Sequence, residues 1–286
     1  MITDVERNEI LRYITERRCT DGGYCHYRLD EPNAADTFYA LDSLRLLDAL
    51  SPDRATEDFL LGMQHPDGGY ATLYAGAFAL RSLALIGSGP ALDPQPWLCA
   101  MHPVPHSEQR PVESLSAFER TCTHLTLCRI LRIRTDGPLR DAVLRHLHAH
   151  HHADGGFGHP QSTLIETAHS LAILGILGQP PDRYGTRWFL LQCEHPMFGY
   201  LNHPRATPAF LEHVAAGVEC AVLTGRPPGY PEGCRTFVRK CRNANGGYTR
   251  SIFGGISTLE NTWLAIRALT RIRQTEPHGE YAHERK

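Results

Sequence analysis

Two kinds of apolar pattern alternate along the chain. Stretches such as "ATEDFLLGMQ", "RYGTRWFLLQCE" and "GCRTFVRKCR" gather their apolar residues on one helical face. Stretches such as "DTFYALDSLRLL", "ETAHSLAILGIL" and "ENTWLAIRALTRI" are more apolar all round. The first kind suits an outer helix with a wet face, the second a helix buried inside. Between them stands a short turn, seen in "CTDGGYCHY", "HPDGGYATL", "HHADGGFGHP" and "RNANGGYTRS".

The glycines supply the positive φ at which an outer helix stops, and the aromatic can pack back over that end. The turn aromatics fall at Tyr24, Tyr70, Phe157, Tyr200 and Tyr248, in steps of 46, 87, 43 and 48 residues. The long step is two periods, which predicts a further turn near residue 113, in "SEQRPVES". Units of about 47 residues then fill the chain, the signature of an array or a closed ring. An open array carries polar capping repeats at its ends. Here the first outer helix and the last inner one ("STLENTWLAIRAL") look like ordinary members of the set. The pattern therefore predicts an all-α fold, an α/α toroid of six helix pairs over residues 1–273. Residues 274–286 lack apolar periodicity and are expected to be a flexible tail.

Composition narrows the partners. The 286 residues carry a net charge of −2 and no basic run interleaved with aromatics, which argues against nucleic acid. No window offers the roughly 18 uninterrupted apolar residues of a spanning helix. The N-terminal stretch "MITDVERNEILRYITERR" alternates charges instead of presenting the apolar core of a signal peptide. Nine cysteines without paired spacing suit a reducing compartment. A cytoplasmic protein is expected.

Inner helices open on acids: Asp36, Glu119, Glu166, Glu212 and Glu260. "SAFE", "TLIE" and "STLE" read as capping boxes, with Ser116, Thr163 and Ser257 as caps and the glutamate three residues on. Acids there also oppose the helix dipole favourably. Asp36 and Glu212 fit that motif less well, which leaves them open to a role in the cavity. A carboxylic acid in an apolar cavity can donate a proton, and Asp36 is the first candidate. One turn deeper the same face presents Tyr39, Phe78, Cys122, His169, Ala215 and Trp263. Tyr39, Phe78 and Trp263 could stabilise a cation or pack against a polyene, or they could simply fill the ring. The run His146 to His152 ends an outer helix, where its imidazoles would satisfy carbonyls and face solvent instead of holding a metal.

The pairing of "DGGY" or "DGGF" with a following "D/E-T-x-x-x-L-x-x-L" helix resembles the β subunits of protein prenyltransferases. It is also similar to the repeats of squalene–hopene and other class II terpene cyclases, whose Gln-and-aromatic repeat is echoed by "FLLGMQHPDGGY". The resemblance covers nearly the whole chain. It implies an isoprenoid-handling enzyme with a central apolar cavity, its small-molecule partner an isoprenoid or a similar hydrophobic compound. From the prenyltransferases it implies zinc on Cys122 and His169, with Glu119 or Glu166 completing the ligands. It also raises a protein acceptor and an α-type partner subunit. Arg120 stands two before Cys122, where that family has Asp, and "PVESLSAFERTC" lacks the family's diphosphate clamp. From the cyclases it implies protonation of an alkene. Their D-x-D-D motif is absent, and "RLDEPNAAD" spaces Asp30, Glu31 and Asp36 differently. A third reading is a non-catalytic toroid that binds a lipid or a protein.

Overall fold

The computed structural model of the chain describes residues 2–27, 29–51, 53–102, 104 and 116–275. Twelve α-helices occur among the described residues. They are α1 (Asp4–Thr15), α2 (Ala34–Leu46), α3 (Arg54–Gly62), α4 (Leu73–Leu85), α5 (Gln95–Cys99) and α6 (Ala117–Ile130) in the first half. The second half holds α7 (Pro138–Ala149), α8 (Leu164–Ile176), α9 (Thr186–Cys193), α10 (Leu211–Leu223), α11 (Pro231–Lys240) and α12 (Leu259–Thr275). Strand among these residues is limited to a two-residue pair, Glu194–His195 with Gly199–Tyr200.

The even-numbered helices form a closed inner ring. Each packs on the next, and α12 returns to α2. The odd-numbered helices lie outside. The all-α toroid expected from the apolar pattern is the fold observed.

The repeated turn shows why the ring closes. Asp21, Asp67, Asp154 and Asn245 each accept the backbone N–H two residues on, at 2.9–3.1 Å, bending the chain into an Asx turn. The glycine between, Gly22, Gly68, Gly155 or Gly246, has φ of 84–94°, which costs a residue with a side chain dearly. It also sits where no Cβ fits. A methyl at Gly22 would lie 2.3 Å from the Ala55 carbonyl carbon, and one at Gly155 would lie 2.5 Å from the Gly185 oxygen. Each of these turns presses on the start of the next unit's outer helix. The last presses on the first: a methyl at Gly246 would lie 2.4 Å from the Glu9 oxygen of α1, and Arg242 pairs with Glu9 at that seam.

The turn aromatic is a plug driven into the inner layer. Tyr24, Tyr70, Phe157, Tyr200 and Tyr248 are all buried. The N–H groups of Tyr24, Phe157 and Tyr248 donate to the Oγ1 of Thr37, Thr167 and Thr262 at 3.0–3.1 Å. That accounts for the threonine in the repeated "D/E-T" motif. Unit two has Gly76 at the same helical position, and the Tyr70 ring lies against it.

Some expectations need revision or fall elsewhere. The cap of α12 is Thr258, whose Oγ1 accepts the Asn261 N–H at 3.0 Å. Ser257 instead bonds Asn243 and Asn245, so Glu260 is not a capping-box member. Ser116 and Thr163 do accept the Glu119 and Glu166 amides, both at 3.1 Å. The histidines at the end of α7 brace the fold more than they face solvent. The rings of His146 and His150 lie 4.4 Å apart, and His151 and His152 contact the carbonyls of Tyr184 and Gly158. The turn expected near residue 113 and most of the expected tail lie outside the described residues. All nine cysteines are free. No helix among the described residues is long and apolar enough to cross a membrane.

Gly155→Ala should lower stability by about 3 kcal/mol, from a disfavoured φ together with a backbone clash. Gly178 has φ 64° but nothing near its missing Cβ, so Gly178→Ala should cost only about 1 kcal/mol. Urea unfolding of the two variants checks this; equal losses would show that the seam is not tightly packed.

Candidate functional site

All six inner helices run in the same direction, so their first turns surround one mouth. Glu119 enters there from α6. Its amide is capped, but its carboxyl takes no hydrogen bond from the described residues. Burial raises its pKa, and the charge of Glu260 across the mouth adds to the effect. The pKa of Glu260 is also raised, first by burial and then by Glu212, although the side chain is more exposed than that of Glu119. Water screens an exposed carboxyl, so Glu119 is the acid on which desolvation acts more. Asp36 is a fastened member of the ring. Its Oδ2 contacts His26 Nδ1 at 3.0 Å and accepts from the His26 amide at 3.2 Å and Asn33 Nδ2 at 2.8 Å. Glu212 pairs with Arg250 at 2.5 Å, and Glu166 accepts from the Thr163 hydroxyl at 3.1 Å.

One turn down, the lumen is lopsided. Tyr39 lies 5.2 Å from Phe78 and 5.1 Å from Trp263, ring centre to ring centre, with Phe38 packed behind them. Trp263 Nε1 donates to Asp42 Oδ2 at 2.6 Å, which fixes the indole. These rings make a solid wall on the α2, α4 and α12 side. The facing side is built from Cys122, Thr126, His169, Ala172 and Ala215. All five are only half-buried although they stand in the innermost layer. Side chains enclosed by a barrel yet not covered border open space. The three aromatics singled out in the sequence are buried and packed on one another, filling the α2, α4 and α12 side of the ring interior, and smaller residues stand opposite.

The intended zinc ligands can be tested on their chemistry. Burial pushes the Cys122 thiol up to about 11, away from the thiolate that zinc binds. It pulls the His169 imidazole down to about 4, so that ring is neutral at neutral pH. Its Nδ1 is buried without a partner. Among the described residues no three of His, Cys, Asp and Glu stand together as a metal site. The donor set as arranged does not fit zinc.

One lumen residue escaped the sequence reading altogether. Arg81 stands one turn below Phe78, and its guanidinium lies 3.8 Å from the Phe38 ring centre. The available signal was a lone arginine inside "LYAGAFALRSLAL", an apolar inner helix otherwise free of charge.

Comparison with known proteins agrees with this architecture. A family model, the prenyltransferase alpha-alpha toroid domain, matches residues 1–86 and 121–283. A drimenyl diphosphate synthase from Streptomyces showdoensis is 30% identical over 257 residues, 76% of this chain and 46% of that protein. The chain thus spans about half the length of that curated relative. Among solved structures, Candida albicans protein geranylgeranyltransferase-I complexed with GGPP matches at a TM-score of 0.65 and 15% identity. The match covers 93% of this chain and 90% of that one.

A carboxyl whose pKa is raised by folding costs stability once it must ionise in the folded state. The loss begins above the ordinary value of 4.5 and is complete above the folded pKa. Glu119→Gln should therefore raise the urea midpoint at pH 7–8, with the gain fading as pH falls toward about 4. A gain that is independent of pH would show that Glu119 is not desolvated.

Proposed function

The chain belongs to the prenyltransferase α/α toroid domain family, and on that footing we propose an isoprenoid-handling enzyme that transforms its substrate by protonation inside the lumen. The observation that carries this reading is Glu119: a carboxyl pushed toward its protonated form at the mouth, on the side of the ring that faces the aromatic rings. A protonated Glu119 gives its proton to an alkene carbon of the bound chain. The electron pair of the double bond forms the new C–H bond and leaves a carbocation on the neighbouring carbon. The π faces of Tyr39, Phe78 and Trp263 stabilise that cation, and further double bonds of the same chain can attack it. His169, a neutral imidazole in the same layer, accepts a proton as the final cation becomes an alkene. The ionised Glu119 recovers a proton from solvent through the mouth. One proton enters and one leaves, so no oxidant or second substrate is needed.

The similarity to a drimenyl diphosphate synthase supports this chemistry, since that name describes an isoprenoid product that keeps its diphosphate. Asp36 remains the second candidate acid, with one oxygen already engaged by three neighbouring groups. Because the donors around Cys122 do not fit zinc, no step is assigned to a metal. A partner subunit and a protein acceptor are not needed for it either.

Incubation with farnesyl or geranylgeranyl diphosphate, followed by mass spectrometry, should yield an isomer of unchanged mass. Glu119→Gln should slow that conversion at least ~100-fold while substrate binding persists. A larger loss in Asp36→Asn would move the acid to Asp36, and binding without any conversion would favour the non-catalytic toroid.

Zinc in the untagged protein should stay below about a tenth of an equivalent. A full equivalent that disappears in Cys122→Ser would restore the prenyl-transfer reading.

A further inference from the structure

Of the nine cysteines Cys99 alone is exposed, at the end of α5. It directly follows Leu98, which is fully buried. The Leu98 carbonyl oxygen lies 3.1 Å from His124 Nε2 on α6. At the other edge of the same imidazole, Nδ1 lies 3.6 Å from Cys128 Sγ. One ring therefore spans from the Leu98–Cys99 peptide to the Cys128 sulfur. It does so on the face of α6 turned away from Cys122 and the lumen.

The partners of the ring decide where its hydrogen sits. A carbonyl oxygen only accepts, so Nε2 carries the hydrogen and Nδ1 turns its lone pair toward the Cys128 S–H. Burial lowers the His124 pKa below its ordinary 6.5, and the imidazole is neutral at neutral pH. It is a base held by one peptide and aimed at one thiol. Burial also pushes the Cys128 thiol up to about 11, and Cys99 nearby adds to the shift. Cys128, 2% exposed, is thus shielded and a poor nucleophile by itself. Cys99 is open to solutes, while Cys128 has the base. Each thiol has what the other lacks.

We propose that Cys99 and Cys128 form a reversible disulfide, with Cys99 the thiol that meets a hydroperoxide and His124 the base that activates Cys128. The Cys99 sulfur attacks the peroxide and takes one oxygen. The O–O bond breaks, and the rest of the peroxide leaves as an alcohol or as water. The Cys128 sulfur then attacks the resulting sulfenic acid while its proton passes to His124 Nδ1. The S–O bond breaks, and the departing hydroxide takes that proton and leaves as water. The two thiols lose two electrons, and the peroxide gains them. Closing the bond draws the end of α5 onto α6, the inner helix that carries Glu119, and a dithiol reductant reopens it. The site is independent of the isoprenoid chemistry in the lumen.

The test treats the full chain with hydrogen peroxide and maps its peptides by mass spectrometry without reduction. A Cys99–Cys128 crosslink should form and disappear on addition of dithiothreitol. Cys99→Ser should abolish it. In Cys128→Ser the Cys99 sulfenic acid should persist and be captured by dimedone. His124→Gln should slow crosslinking at least ~10-fold, while dimedone still captures Cys99 at the parent's rate. Oxidation of Cys99 in the parent without a bond to Cys128, or a bond to another cysteine, refutes the pair. Equal crosslinking rates in the parent and His124→Gln refute the role of His124. The two serine variants keep the pair testable should His124→Gln not fold.

Discussion

Everything in this molecule hangs on a glycine held at positive φ against the backbone of the neighbouring unit. The Asx turn bends the chain, the glycine lets it lie flush on the next outer helix, and the aromatic that follows is driven inward. There a threonine or a glycine of the inner helix receives it. Each unit is thereby clamped to its own inner helix and to its neighbour's outer one. The contact of Gly246 with α1 turns this chain of clamps into a ring.

A closed ring of inner helices creates an interior that no single unit possesses. What fills it depends on which residues meet across the axis. On one side large rings from α2, α4 and α12 interlock and leave no space. Across from them cysteine, threonine, alanine and a neutral histidine leave a gap. The asymmetry sets the electrostatics as well. Carboxyls gather at the mouth, where the dipoles of six parallel helices favour them, and guanidiniums at the floor, near the opposite helix ends.

The fold was legible in the sequence because its cause is local and repeated. A turn of Asp-Gly-Gly-aromatic at a fixed period, flanked by one amphipathic and one apolar helix, carries its own geometry in a dozen residues. The acids and aromatics could be assigned to successive turns of the inner helices for the same reason. Helical spacing alone puts Tyr39 three residues below Asp36, and Trp263 three below Glu260.

What only the tertiary structure decided are the relations across the ring. Tyr39 and Trp263 are 224 residues apart, and nothing local says that their rings touch while Cys122 and His169 fail to gather a third donor. The raised pKa of Glu119 depends on burial and on Glu260 from a distant helix, so in sequence it could pass for a capping residue or a metal ligand. Arg81 looked like one arginine in an apolar helix, because the Phe38 ring it stacks on and the charges of Asp42 and Arg267 that act on it come from other helices. Local periodicity determines which face of each helix turns inward. Whether the inward faces meet as a packed wall, an open pocket or an unmatched charge is settled by residues hundreds of positions apart.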